Sequence, residues 1–468
     1  MSKKYKKLLD NTKLFSIGSI GSKLIVFLMI PIYARVFTQE EFGMIDIFQS
    51  LLSLIMPVII LEMVQAVFRF SMEASNKESL RQIFTNGIIF SLSAAMVFSL
   101  LLYFLPVFLE FQNYKIFFIL VFFSQVTLQT IKIFYQGINE VRKFIVLEFI
   151  QVISFVTLNI VFLVIYEIGI FGFFFALFIS QVITVIYAIF GNRLYHYYSY
   201  REFNYNMFKK MIGYSIPLIP NSMLAWVIAS SDKYMLMYMN DMASVGIYAM
   251  AVKFPLLVLL IFGIFLQAWQ ISLTKNFSEK DLTLFISKIF STVSSLLIIL
   301  VSVLILINKP LLHFVLSDQF FIAYKYIPWL LLAILFKSFS SFLGVGYIAS
   351  KKTKGAMYTT IIAAVLNIIL NIILIPIYSI NGAVFATLIS YGVLFLIRMR
   401  VTRQFFIVEY KYLTIISSII LLTIQSIVSL KNYSYGYIIN FILMLLILMI
   451  HKDSLSVKDA KVFLSFKK

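Results

Sequence analysis

Four lysines stand inside long apolar runs of the sequence: Lys23, Lys132, Lys253 and Lys337. A lysine at a bilayer centre costs roughly 2.5–3.5 kcal/mol on the insertion scale, so it faces a cavity or partner, or reaches the headgroups along its own stem. Lys23 and Lys337 fall near the middle of their runs and read as cavity groups. Lys132 lies close to the inner end of its run, where reaching for the headgroups explains it, and Lys253 admits both readings. Few acids could neutralise them: Asp46, Glu62, Glu148 and Asp232. Glu62 and Arg69 stand seven residues apart, a spacing that shares one helix face, and fit either a lumen or a helix-end pair at the inner surface. Asp232 beside Lys233 fits a lumen acid or a solvated helix end. An interior richer in cations than anions suits an anionic substrate such as a pyrophosphate. It suits a cation carrier poorly, because that carrier needs buried carboxylates.

Uncharged polar residues recur on the same runs: Gln65, Gln125, Gln129, Asn221, Ser222, Gln267 and Gln270. Gln125 and Gln129 are one turn apart and could bind sugar hydroxyls or join helices by hydrogen bonds. Trp226, Trp269 and Trp329 lie near run ends, where interfacial anchoring is expected. Cysteine is absent and three histidines are scattered, so the reading holds no metal site, no disulfide and no thiol nucleophile. No phosphate-binding G-x-x-x-x-G-K-[ST] loop is present, and no long loop groups carboxylates or Ser/His for catalysis. The chain is therefore expected to be no enzyme.

Such groups must be positioned by the apolar runs themselves. The 468 residues are 61% hydrophobic and 13% charged, whereas a soluble domain has about 45–50% apolar and about 25% charged residues. The solvent is therefore lipid. Continuous runs of about 20 apolar residues, enough to cross about 30 Å of hydrocarbon, recur along the whole chain. They lack the short alternation of a barrel. The expected fold is all-α, a polytopic membrane protein with about 14 spans. These lie near 14–34, 45–67, 84–105, 114–135, 147–165, 169–190, 211–230, 247–268, 284–307, 328–349, 356–376, 380–398, 412–430 and 434–450. With both termini inside, the inside segments hold most of the 39 Lys and Arg, and every inside loop exceeds its outside neighbours. The net charge of +19 is then a topology signal, and nucleic acid is not an expected partner.

An internal repeat organises the runs. Ile170, Gly172, Phe175, Ala176, Ile179 and Ser180 recur as Ile380, Gly382, Phe385, Ala386, Ile389 and Ser390 at a constant offset of 210. Helix breakers also correspond: Gly18 and Gly21 in span 1 match Pro217 and Pro220 in span 7. Glu41-Phe42-Gly43 likewise matches Ser244-Val245-Gly246. The expected domains are a six-helix bundle over 1–195, its repeat over 196–405, and two further helices with a basic tail over 406–468. A cavity lined by broken helices between two such bundles is the plan of an alternating-access transporter.

Three stretches give the chain a family likeness. They are Gly18…Pro31…Arg35…Glu41-Phe42-Gly43; Tyr214-Ser215-Ile216-Pro217…Ser231-Asp232-Lys233…Val245-Gly246-Ile247-Tyr248…Ala251-Val252-Lys253; and Asn371…Pro376…Ile380-Asn381-Gly382-Ala383…Ala386-Thr387…Ser390. In this order the chain resembles the multidrug/oligosaccharidyl-lipid/polysaccharide flippase superfamily, and within it the O-antigen and capsule repeat-unit flippases. The resemblance implies an undecaprenyl-diphosphate-linked oligosaccharide moved from the inner to the outer leaflet of the bacterial inner membrane. It implies a cationic lumen, for which the candidates are Lys23, Arg35, Glu62, Arg69, Asp232, Lys253, Lys337, Gln125, Gln129 and Asn221. A coupling ion, H+ or Na+, and contact with a polysaccharide polymerase and export machinery would accompany that role. The peptidoglycan-precursor flippases are the near alternative, but their Arg-Asp pair in span 1 is absent. The drug antiporters' acid in span 1 is absent too. A membrane glycan polymerase would need a longer, catalytic loop.

Overall fold

Lipid offers a backbone no hydrogen bonds, so an apolar run that enters it must satisfy its own N–H and C=O groups, and a helix does so within one segment. The computed structural model describes residues 21, 24–104, 109–276, 282–350, 352–431 and 435–455; among them it is helical, with no strand. In chain order the helices are α1 (Ile30–Val36), α2 (Gln39–Ile59), α3 (Met63–Glu73), α4 (Lys77–Phe104), α5 (Lys115–Gly137), α6 (Val141–Asn159), α7 (Ile170–Phe190), α8 (Tyr205–Ser215), α9 (Ile219–Met239), α10 (Met242–Asn276), α11 (Leu282–Leu306), α12 (Asn308–Val315), α13 (Asp318–Phe321), α14 (Ile327–Ala349), α15 (Thr353–Tyr378), α16 (Ile380–Val401), α17 (Tyr412–Leu430) and α18 (Gly436–His451). Among the described residues eleven helices are long and apolar enough to cross a bilayer, or twelve if the bent pair Tyr205–Leu224 and Trp226–Met239 is one span. Two shorter apolar helices, Leu24–Val36 and Gly436–His451, fall at the first and last expected spans.

The chain packs as two units, one of Met1–Phe37 with Met44–Ser230, the other of Thr38–Gly43 with Ser231–Lys468. Both α2 and α9 therefore change unit along their length. The first unit closes over Met63, Val67, Phe84, Phe134, Leu147 and Met211, all buried. In the second, Trp269 is 2% exposed. Its indole stacks on Phe342 at 4.5 Å and donates to the Phe342 carbonyl at 3.2 Å. It is a core residue and not the interfacial anchor its position in the sequence led us to expect. Buried polar bonds hold the last two helices to α11. Ser302 donates to Gln425 Oε1 at 2.9 Å, and His451 lies between Ser295 (2.7 Å) and Ser418 (2.8 Å).

The repeat has a backbone counterpart. At the offset of 210, Gly169 (φ 67°, ψ −144°) and Ser379 (φ 52°, ψ −128°) both cap the helix that follows, α7 and α16. Each turns the chain sharply between two long helices, in a region where a Cβ is strained. Close packing follows the turn: a Cβ on Gly382 would lie 2.3 Å from the Leu374 carbonyl oxygen. The triplets matched from sequence also meet within the second unit. A Cβ on Gly246 would lie 1.8 Å from the Gln39 carbonyl oxygen, and one on Gly43 would lie 2.4 Å from that of Met242. Only glycine permits these two backbones to touch.

Gly169 and Gly213 both have open space around the missing Cβ, but only Gly169 has a positive φ. Gly169→Ala should therefore destabilise by about 1–2 kcal/mol from backbone strain alone, while Gly213→Ala, in the helical α8, should be neutral or slightly stabilising. Thermal unfolding in detergent checks this; equal midpoints for the two variants would contradict it.

Candidate functional site

A helix break in the first unit has no counterpart in the sequence reading. Pro57 sits inside α2, which ends two residues later. Leu61 (φ 49°) and Glu62 (φ 53°) then follow in the left-handed region. The chain closes through Glu62 N–H donating to the Pro57 carbonyl at 2.8 Å and Met63 N–H to that of Ile60 at 2.9 Å. Two successive side-chain-bearing residues in this conformation cost on the order of 1–3 kcal/mol each, a strain found mostly at functional positions. The buried Glu62 carboxylate accepts a hydrogen bond from Ser222. One turn on, Trp226 Nε1 donates to the Ser50 carbonyl at 2.8 Å, so this tryptophan too holds helices together. Both ties reach the part of α9 near its 44° bend. Pro217 lies in the 3-10 turn Ile216–Leu218 that links α8 to α9, and Pro220 lies in the first turn of α9. Glu62 does not share a face with Arg69, because Glu62 precedes α3 in a non-helical conformation. Arg69 pairs instead with Glu73 at 2.5 Å on the exposed surface.

Lys132 is buried, and does not reach for the headgroups. Its ammonium donates to Glu148 Oε1 at 2.6 Å and to Gln151, both on α6. The short turn after α5 brings these residues back alongside Lys132. The face of α5 that carries Lys132 also carries Gln125, Leu128 and Gln129. With Gln49, Gln151, Gln181, Leu52 and Leu177 they line a cavity of about 260 Å³ inside the first unit. The sequence reading singled out Gln125 and Gln129; the other glutamines come from three further helices and join them only in the fold.

In the second unit α9 runs on to Met239, so Asp232 is an interior helix residue and not a solvated helix end. It is buried and accepts a hydrogen bond from Tyr248 of α10. Thr387 and Tyr391 of α16 border that tyrosine. Lys337 of α14 lies 5.0 Å from the centre of the Tyr391 ring. No carboxylate among the described residues pairs with Lys337. Next to Asp232, Ser231 meets Asn367 at 3.5 Å, and Asn371 donates to Asn367 at 3.1 Å. Lys253 stands 6.0 Å from the Phe42 ring centre. Asp232, Tyr248, Tyr391 and Lys337 thus form one polar cluster across four helices; Asn221 and Arg35, both exposed, belong to the first unit. A Cβ on Gly21 would lie 3.4 Å from the Phe149 ring, and Gly21 belongs to the first unit. Lys23 and Gly18 lie outside the described residues. No group of three or more His, Cys, Asp or Glu among the described residues could hold a metal.

Comparison with known proteins places these features in a family. The profile of the polysaccharide biosynthesis protein family matches residues 8–270. No curated protein matches the chain significantly. Among solved structures, the lipid II flippase MurJ in an inward closed conformation is similar at 18% identity and TM-score 0.69, over 94% of this chain and 98% of that one. An inward-facing multidrug resistance MATE family transporter of the MOP superfamily is similar at 14% identity and TM-score 0.63, over 82% and 95%. A Vibrio cholerae MATE transporter is similar at 14% identity and TM-score 0.57, over 85% and 96%. The fold is thus similar to that of these transporters.

Lys132→Met should leave Glu148 charged and unpaired inside the first unit and cost about 3 kcal/mol, whereas Lys132→Met with Glu148→Gln should recover most of that loss. Thermal unfolding of the two variants in detergent reads this coupling, and an equal loss in both would contradict the pairing.

Proposed function

The chain belongs to the polysaccharide biosynthesis protein family, and we propose that it is a flippase that carries undecaprenyl-diphosphate-linked oligosaccharide repeat units from the inner to the outer leaflet of a bacterial inner membrane by alternating access. The product serves a surface polysaccharide such as O-antigen or capsule. The observation that carries this reading is Lys337, a cation in the middle of a spanning helix with no acid partner among the described residues. An aromatic face steadies an ammonium without consuming its N–H donors. Those donors remain available to a diphosphate, whose charge offsets the cost of holding a lysine at that depth. Lys253 is also on a spanning helix and also stands beside an aromatic ring. Nothing in the reading requires covalent chemistry: the substrate leaves as it entered, on the other face.

A passive flippase would only equalise the leaflets, so net export needs a coupled gradient or a consuming reaction outside. Asp232 is our candidate seat for a coupling H+ or Na+, being a buried carboxylate that accepts from Tyr248, while its chain neighbour Ser231 meets Asn367. A polymerase or other export component on the outer face is the expected partner.

Lys337→Ala and Lys253→Ala, at equal membrane expression, should each lower surface polysaccharide by about tenfold, the loss of one charge-assisted contact. Lys337→Arg should retain export. Surface polysaccharide quantified on intact cells checks it; unchanged export in both alanine variants and in the double variant would contradict the reading.

A further inference from the structure

The cavity of the first unit differs in chemistry from the polar cluster around Lys337 in the second. Five glutamine side chains converge on it: Gln49 from α2, Gln125 and Gln129 from α5, Gln151 from α6 and Gln181 from α7. Glutamine is costly in a membrane-embedded bundle unless its amide is bonded. Gln181 and Gln151 meet that requirement, by accepting from Ser124 and from Lys132. Gln49, Gln125 and Gln129 have no protein hydrogen-bond partner among the described residues, and all three face the cavity. Gln49 and Gln129 are exposed and Gln125 is half-buried, so their amides are open to whatever enters this cleft.

Charge narrows the occupant. The single cation at the wall, Lys132, is neutralised by Glu148 at 2.6 Å, so the lining is neutral and favours neither phosphate nor a cation. Each amide offers two N–H donors and a carbonyl acceptor, which is the complement of hydroxyl and acetamido groups. Leu52, Leu128 and Leu177 supply apolar wall for the C–H face of a ring. The volume of about 260 Å³ lies just under the roughly 300–1,000 Å³ of sites for drug-sized ligands, and so suits one ring. We propose that this cavity is a subsite for one neutral sugar ring of the lipid-linked substrate, read by Gln49, Gln125 and Gln129. The inference rests on the flippase reading and adds to it a recognition site for the sugar within the first unit.

The test uses the full-length protein in lipid nanodiscs and two probes. One is lipid-linked glycan extracted from the source cells; the other is undecaprenyl diphosphate, which bears no sugar. Wild-type protein should prefer the glycan lipid by about tenfold, one or two hydrogen bonds' worth of discrimination. Gln125→Leu with Gln129→Leu, and separately Gln49→Leu, should remove that preference while undecaprenyl diphosphate binding stays within about twofold. Because these amides have no partner, the apolar replacements should leave the unfolding midpoint equal or higher. Retained preference in both variants would overturn the subsite. So would a fall in unfolding midpoint with loss of both lipids, since the glutamines would then be structural. A wild type that binds both lipids equally would overturn the subsite alone, and one that binds neither would overturn the flippase reading with it.

Discussion

Hydrocarbon answers no hydrogen bond, so each polar atom carried into it has to be answered from within the protein or from the substrate. This constraint sorts the spanning residues into two classes. Most are answered internally: Glu62 by Ser222, Asp232 by Tyr248, Lys132 by Glu148, Gln425 by Ser302, His451 by Ser295 and Ser418. Another set is answered by no acid or amide among the described residues. Lys337 rests on an aromatic face, and Gln49, Gln125 and Gln129 open onto a cavity. On the flippase reading, the lysine would answer a phosphate and the amides a sugar.

The same constraint bears on the broken helices. A break exposes backbone that lipid would leave unsatisfied, and the chain repairs each one locally. At Leu61 and Glu62 the repair is a tight left-handed turn with two close backbone bonds, adjoining the ties from Ser222 and Trp226. At Ile216–Leu218 it is a single 3-10 turn built on Pro217. Strain of this kind is retained where a helix has to change direction without losing its place. Both breaks lie in the first unit, and the second is on the approach to α9, which passes from the first unit to the second at Ser230.

Legibility from the sequence followed the range of the interaction. The spanning runs, the all-helical class and the 210-residue offset are local or periodic signals, and the offset reappears in the backbone as the paired caps Gly169 and Ser379. The touching triplets around Gly43 and Gly246 were legible as a repeat match, although their contact was not. The break at Glu62 was illegible because Leu-Glu carries no breaker chemistry, and its only forerunner was Pro57. Lys132 was misread because its partner Glu148 is on the next helix. Trp226 and Trp269 were misread because distance from a run's end says nothing about which neighbour is within reach. The glutamine cavity draws on four helices, and no single one of them displays it.

The central claim is that this chain moves a lipid-linked glycan across the bilayer, and its most direct measurement is leaflet location. Cells lacking the gene would be labelled with a membrane-impermeant glycan reagent, first intact and then after lysis. We predict label only after lysis, with the lipid-linked glycan held on the inner leaflet. Equal labelling of intact and lysed cells would mean that the glycan crosses without this protein, and would contradict the account.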